Sequence, residues 1–382
     1  SLQSGIVRSD CRRSFHLSNL TGMDVRLKLE LNQLTGSFKE RGARFALTRL
    51  SPEQKKIGVI AASAGNHSQA LSYHGKELGI PVTVVMPRHA AINKIEKCVS
   101  FGANVVIQGK DFAAAKKHAF ALAKESAALY INGYDHIDVL AGNGSVGIEL
   151  LDQLGKLDAV VVPVGGGGLI AGIATAVKTL SPSTRVIGVE SENAPGFRAS
   201  LNAGRPTLTP VIPSLAEGLA VSLIGCNAFY NAQDRIDRMV TVSERDIAVA
   251  VLRLMELEKL VAEGAGAAPV AAILSGQLDF LKGSRVAVVI SGGNIDSSAV
   301  DRCILRGYHI FLSIDLEVIV SNRPGALAEL LEIIGNLGVS VKTTRTSTAW
   351  HRTDIFSGRA SIVAETRGRE HTQQLKEALF KR

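Results

Sequence analysis

The chain has 382 residues, 46% apolar and 20% charged with 37 glycines, the length and make-up of an α/β protein of two or three domains. Its net charge of +8 is spread out, with acidic and basic residues alternating through 44–56 and 233–260, and no basic, aromatic-interleaved stripe speaks for nucleic acid. No apolar run reaches membrane-spanning length and no signal peptide is visible, while Cys11, Cys98, Cys226 and Cys303 are scattered without a CxxC, which argues against a membrane protein, a disulfide scaffold and a zinc site and for a reducing, cytoplasmic setting.

The first predicted strand, 25–29, leads to Thr35-Gly36-Ser37-Phe38-Lys39-Glu40-Arg41-Gly42-Ala43 and an apolar helical run through Phe45-Ala46-Leu47. Ser37 reads as the helix N-cap, and Glu40 three residues on completes a capping box. Lys39 then falls in the first turn, where the helix dipole opposes a second positive charge. That lowers the lysine pKa and favours the neutral amine, the form that makes Schiff bases. A lone lysine so placed is most often a plain surface residue. Here three glycine-bearing turns follow it.

A buried strand over 58–62 runs into Ser63-Ala64-Gly65-Asn66-His67-Ser68-Gln69 and a helix over 69–78. Strands at 82–86 and 104–107 alternate with helices at 92–101 and 111–125. The strand 159–164 opens into Gly165-Gly166-Gly167-Gly168-Leu169-Ile170, and a helix through 171–177 follows. A strand at 185–189, a helix at 245–262 and a strand at 285–290 come next, the last ending in Ser291-Gly292-Gly293-Asn294. Glycines let successive N–H groups converge on a phosphate, and a helix N-terminus adds a favourable dipole. The alternation predicts an open parallel α/β sheet with helices on both faces and ligands beyond the carboxyl ends of its strands. Gly166-x-Gly168-x-x-Ala171, with Glu190 19 residues later, also satisfies a dinucleotide fingerprint, so a nicotinamide-dependent dehydrogenase is a rival reading. It leaves the turns at Lys39, Asn66 and Ser291 without a purpose.

From about residue 311 the pattern changes. Residues 314–320 alternate as a half-exposed strand, Asn322-Arg323-Pro324-Gly325 turns, and Pro324 stands at the start of a helix over 326–337. Strands at 340–348 and 357–365 and a helix at 370–380 complete a βαββα order.

Gly36-Ser37-Phe38-Lys39, Ser63-Ala64-Gly65-Asn66-His67, the four glycines from Gly165, Glu263-Gly264-Ala265-Gly266 and Ser291-Gly292-Gly293-Asn294 occur in this order and spacing. Together they resemble the threonine/serine dehydratases, ammonia-lyases of the fold-type II pyridoxal-phosphate enzymes. The likeness covers roughly 5–305. It implies a catalytic domain over 1–310, with a small lobe of about 37–135 inserted in the large one and the cofactor between them. The segment 311–382, with its Arg-Pro-Gly-Ala-Leu turn, resembles an ACT regulatory module that binds amino acids at module contacts, although the chain ends before the usual last strand. A small dimerisation domain is the alternative.

The resemblance implies pyridoxal phosphate held covalently on Lys39, which also serves as the base at Cα. Phe38 packs on the ring, Asn66 meets its 3′-oxygen, and Gly165, Gly166, Gly167, Gly168 and Leu169 hold the phosphate. Ser291 meets the pyridine nitrogen, and a hydroxyl there leaves that nitrogen largely unprotonated. Ser63, Ala64, Gly65, Asn66 and His67 surround the substrate carboxylate. The implied reaction eliminates the β-hydroxyl of L-threonine, L-serine or a hydroxyaspartate to give a 2-oxo acid and ammonia, in a homodimer or homotetramer. A serine racemase on the same scaffold is the near alternative. Racemases carry a serine before this Gly-Asn-His, and Ala64 cannot move a proton. Glu190 and Ala194 match part of a divalent-cation loop whose closing aspartate is here Gly196, so a weak monovalent or divalent site stays open. Asn143 and Glu217 replace a common glutamine and aspartate, and His74 matches no motif.

Overall fold

The computed structural model describes residues 5–311, 313–347 and 356–380. Its strands are β1 (Cys11–Arg13), β2 (Asp24–Leu29), β3 (Val59–Ala62), β4 (Val82–Met86), β5 (Asn104–Ile107), β6 (Leu129–Tyr130), β7 (Ala159–Pro163), β8 (Arg185–Ser191), β9 (Arg238–Val242), β10 (Arg285–Ile290), β11 (Ser313–Ser321), β12 (Ser340–Ser347) and β13 (Ser357–Glu365). Contacts divide the chain into two compact units, Ser1–Val300 and Asp301–Arg382.

The first unit holds two sheets. One has the order β1-β2-β10-β7-β8-β9 and is parallel except for the β1–β2 edge pair. The other, order β5-β4-β3-β6, is parallel throughout. The central strands β3, β7 and β10 are near-continuous Val, Ile and Ala because helices cover both their faces. The core of the larger sheet includes Val160, Val162, Val289 and Ile173, while Leu71, Val84 and Met86 fill the smaller one. No helix among the described residues is long and apolar enough to cross a membrane.

The parallel strands aim their carboxyl ends at one cleft. After β3 the chain enters the helix Asn66–Leu78, and after β7 the helix Gly168–Leu180. The helix Lys39–Thr48 is tied down from behind by Arg41, which is 1% exposed. Its Nε and Nη2 donate to both oxygens of Glu30 at 2.7 and 2.8 Å, and Nη1 and Nη2 donate to Glu149 at 2.7 and 2.8 Å. Glu149 lies on the long helix Ile137–Leu154. Two bidentate forks fix the rotation of the helix that starts at Lys39.

The expected helix at 245–262 is shorter. It ends at Glu258, with Lys259 left-handed at φ 58°, and a separate helix, Gly264–Leu274, begins after Glu263. A helix, Ser297–Phe311, spans the division, and after it the second unit has the expected βαββα order, with helices Ala326–Asn336 and Arg369–Phe380. Its antiparallel sheet runs β11-β13-β12. Ala360, Ile362 and Ala364 alternate inward on β13 and pack with Leu330, Ile334 and Leu375 from the two helices. Gly325, at φ 89°, makes the left-handed step into the first of these, a conformation that disfavours any side chain.

Candidate functional site

A cavity of about 710 Å³ opens between the two sheets of the first unit. It is walled by Phe38 and Lys39, by Ser63, Gly65, Asn66 and His67, by Gly165, Gly166, Gly167, Gly168 and Leu169, and by Ser291. Residues as far apart in sequence as Phe38 and Ser291 thus share one surface, because each follows or faces the carboxyl end of a parallel strand.

Lys39 is the first residue of its helix, but the capping box expected around it does not form. Phe38 is the N-cap, without a side-chain cap bond, and the Ser37 hydroxyl is buried without a partner. The backbone at Ser37 instead bridges to Gly292, and Phe38 N–H donates to Ser291 O at 2.9 Å. Glu40 turns inward, accepting from Thr35 N–H and facing His74 Nε2 at 3.1 Å. Long-range pairing with the loop after β10 wins over local capping here. It also accounts for His74 as a paired helix residue.

The Lys39 Nζ donates to Gly133 O at 2.5 Å and stands 5.0 Å from the centre of the Phe38 ring. Burial in the cavity wall lowers its pKa to about 8, against the opposing pull of Glu263. The expected direction holds, but desolvation is the dominant cause.

The glycine loop reaches the cavity as backbone. Gly167 is left-handed at φ 93° and precedes the helix Gly168–Leu180, whose first-turn N–H groups have no intrahelical acceptor. A Cβ on Gly166 would lie 2.4 Å from the Tyr134 ring, and one on Gly168 would lie 2.6 Å from Tyr134 O. From behind, the buried Asn143 donates Nδ2 to Gly168 O at 3.1 Å. Its Oδ1 is buried without a partner.

On the opposite wall, the Ser63 hydroxyl accepts from Gly65 N–H and Ser68 N–H, each at 3.3 Å, and so caps the helix Asn66–Leu78. A Cβ on Gly65 would meet nothing within 4 Å. Ala64 is turned away and packs against the core of the smaller sheet, outside the cavity lining. His67 Nε2 lies 3.2 Å from Ile131 O. Burial, then the charge of Lys39, takes its pKa down to about 3, so the imidazole is neutral and Nε2–H donates to that carbonyl. Asn66 is held between two side chains: its Nδ2 donates to Glu263 Oε1 and its Oδ1 accepts from Asn294 Nδ2, both at 2.8 Å.

Glu190 and Ala194 stand apart from the cavity lining. Both Glu190 oxygens already accept backbone N–H groups, from Phe197 at 2.5 Å and Arg198 at 3.0 Å. Burial raises its carboxyl to about 7. Among the described residues no group of three or more His, Cys, Asp or Glu could hold a metal ion. Glu217 sits at the cavity edge, exposed and 3.2 Å from Lys94 Nζ.

Among the residues of the cavity wall without an assigned role in the sequence are Gly133, Tyr134 and Glu263, and Asp135 supports them from outside the lining. Gly133 contributes a carbonyl, which no residue type signals. The Asp135 carboxylate accepts from Cys226 N–H at 3.1 Å and Ala228 N–H at 3.0 Å, and its own carbonyl accepts from Asn227 Nδ2 at 2.8 Å. It thereby pins the segment that carries Gly133 and Tyr134. Burial raises Glu263 to about 7, while Asn66, Lys94 and Lys39 work the other way and Glu217 adds to the rise. Its only trace in the sequence was its place in the Glu-Gly-Ala-Gly run.

Residues 2–292 match the family described as pyridoxal-phosphate dependent enzyme, and residues 314–382 match the ACT domain. The chain is 41% identical, over all of its length and 94% of the relative's, to an L-threonine ammonia-lyase of Thermotoga maritima. The processed form of threonine deaminase isoform 2 from Solanum lycopersicum superposes with a TM-score of 0.77 at 34% identity, covering 80% of this chain and 89% of that one. Maize serine racemase gives 0.75 at 28% identity, covering 80% and 94%. The dehydrogenase reading falls with these matches, and the chain belongs to the pyridoxal-phosphate dependent enzymes, with an ACT domain after the catalytic part.

Proposed function

We propose that this chain is an L-threonine ammonia-lyase, converting L-threonine to 2-oxobutanoate and ammonia and L-serine to pyruvate and ammonia. The observation that carries the reading is Lys39: an amine with its pKa lowered to about 8, in the wall of a cavity that also holds a glycine loop at a helix N-terminus. The fold and the name of the Thermotoga maritima relative support the same reaction.

The cavity fits the family's cofactor. Side chains on Gly165, Gly166 and Gly168 would run into Gly218 and Tyr134, so the loop lines the cavity as bare backbone, and the N–H groups at the helix start suit a phosphate. When bound, pyridoxal phosphate supplies the electron sink for the bond broken at Cα. Lys39 would hold it covalently and, once freed by substrate, take the Cα proton. Phe38 would pack on the ring and Asn66 would present Nδ2 to the ring oxygen. The Ser291 hydroxyl would face the ring nitrogen without charging it. The N–H groups of the Ser63–His67 loop would bind the substrate carboxylate. The Ser63 hydroxyl holds that loop's shape, and Ala64 offers no proton. The β-hydroxyl leaves as water and one water is taken up on release, so the net products are the 2-oxo acid and ammonia.

The C-terminal unit would bind an amino-acid effector, with catalysis carried by residues 1–310 and regulation by 311–382, in a cytoplasmic homodimer or homotetramer. Purified protein supplied with pyridoxal phosphate and L-threonine should release 2-oxobutanoate, and Lys39→Ala should lose essentially all of it. Undiminished turnover by Lys39→Ala would refute the assignment.

A further inference from the structure

Glu263 opens the helix Gly264–Leu274 and lies in the wall of the cavity, yet the reaction proposed above gives it no task. Its Oε1 accepts from Asn66 Nδ2 at 2.8 Å. On the other side of Asn66, Asn294 Nδ2 donates to Asn66 Oδ1 at 2.8 Å and to Thr35 O at 2.7 Å. These partners fix the amide unambiguously. A backbone carbonyl only accepts, so the Asn294 atom facing Thr35 is nitrogen, and the Asn66 atom facing that nitrogen is oxygen. The Asn66 nitrogen must then face Glu263, which leaves its second hydrogen for another acceptor.

Two glycines make room for this arrangement. A Cβ on Gly292 would lie 2.5 Å from Glu263 Oε1, and a Cβ on Gly36 would lie 2.7 Å from Asn294 Oδ1. The same loops are stitched by backbone bonds, Glu263 N–H to Gly292 O at 3.0 Å and Gly293 N–H to Gly36 O at 2.9 Å. The clamp therefore joins the loops that carry Lys39, Asn66 and Ser291.

We propose that Glu263, with Asn294, is a positioning residue that locks the Asn66 amide with its nitrogen toward the cavity, so that Asn66 meets the cofactor's ring oxygen as a donor. This rests on the reading that Asn66 touches the cofactor. Without an acceptor at 263 the amide is held at its oxygen end alone, by Asn294, and its nitrogen swings on that one bond and loses its aim at the ring oxygen. Glu263→Gln keeps an acceptor at the same reach, whereas Glu263→Met fills similar volume without one. Glu263→Ala is a second non-accepting variant should the thioether not pack.

The test is the apparent affinity of the full-length, cofactor-stripped protein for pyridoxal phosphate, together with the pH dependence of the bound cofactor's visible absorbance. Thermal melts check that each variant is folded. Glu263→Met and Glu263→Ala should bind about tenfold more weakly and shift the pH midpoint of the band, the scale of one lost charge-assisted hydrogen bond. Glu263→Gln should stay within about twofold of native affinity. Acting through Asn66, the effects should not add: Asn66→Ala with Glu263→Met should match Asn66→Ala alone. Native affinity and band in both non-accepting variants, while Asn66→Ala is impaired, would overturn the role of Glu263. If Asn66→Ala itself leaves both readouts native, the contact to the cofactor fails and the proposal falls with it.

Discussion

Replacing Gly168 by alanine tests whether the glycine loop is shaped for close backbone approach. The new Cβ would lie 2.6 Å from the Tyr134 carbonyl oxygen, 2.9 Å from its Cα and 3.0 Å from its carbonyl carbon. Ordinary contact starts near 3.4 Å, so loop and segment must part by about 0.8 Å. All three are main-chain atoms, and Asp135 next to them is bonded to Cys226, Asn227 and Ala228. Tyr134 cannot turn aside, so the loop must move and its N–H groups lose their aim. Overpacking of this kind costs about 1–3 kcal/mol, which is about 5- to 150-fold in an equilibrium constant. Titrating the cofactor-stripped protein with pyridoxal phosphate should show a loss in that range, with the urea midpoint confirming a folded chain. Gly166→Ala meets Tyr134 differently, with ring Cγ and Cδ2 both at 2.4 Å. Tyr134→Ala should therefore relieve Gly166→Ala and leave Gly168→Ala impaired. Native affinity in Gly168→Ala, or equal relief of both by Tyr134→Ala, would mean that the loop does not depend on close backbone approach to Tyr134.

Other consequences are as direct. Because the fold lowers the Lys39 pKa to about 8 from 10.5, the group destabilises the cofactor-free protein below pH 8, and that deficit fades as pH rises toward 10.5. Lys39→Met should remove this rise from the pH profile of the urea midpoint; a profile parallel to the native one would contradict it. Arg41→Ala strips the buried Glu30 of its cation and leaves Glu149 with Lys28 alone, and should cost about 3–5 kcal/mol in urea denaturation, against less than 1 if the forks are idle. L-Serine should yield pyruvate with little D-serine on a chiral column, since Ala64 carries no proton and lies outside the cavity lining; racemisation as fast as deamination would count against that. Deleting residues from 311 should keep cofactor affinity but abolish any response of threonine kinetics to isoleucine or valine. A full-length enzyme indifferent to all common amino acids would make the ACT domain a structural appendage.

The sequence disclosed what is local. Strand followed by glycine turn followed by helix is written in consecutive residues, so β3, β7 and β10 and the loops after them were legible. The βαββα order of the second unit was legible for the same reason. What depends on distant partners was not. Ser37 and Glu40 have the letters of a capping box, but Gly292 and His74 claim them in the folded chain. The carboxyl of Glu263 acquires its meaning from Asn66, 197 positions away. Gly133 serves through a carbonyl, and Asp135 through a helix end some 90 residues on, so neither leaves a pattern at its own position. Short edge elements such as β1 and the two-residue β6 carry too few side chains to alternate. The depressed Lys39 was foreseen from the helix dipole, yet burial by the facing wall of the cavity dominates, and burial is not visible until the lobes are assembled.

In the proposed reaction Lys39, and no other lysine, carries the cofactor. Reducing the pyridoxal-phosphate-loaded protein with borohydride and mapping the proteolytic peptides by mass tests it directly. The expected result is a single stoichiometric pyridoxyl label on Lys39, absent when the protein is first treated with excess L-threonine and stripped. A label on a different lysine, or none in a protein that still deaminates L-threonine, would contradict it.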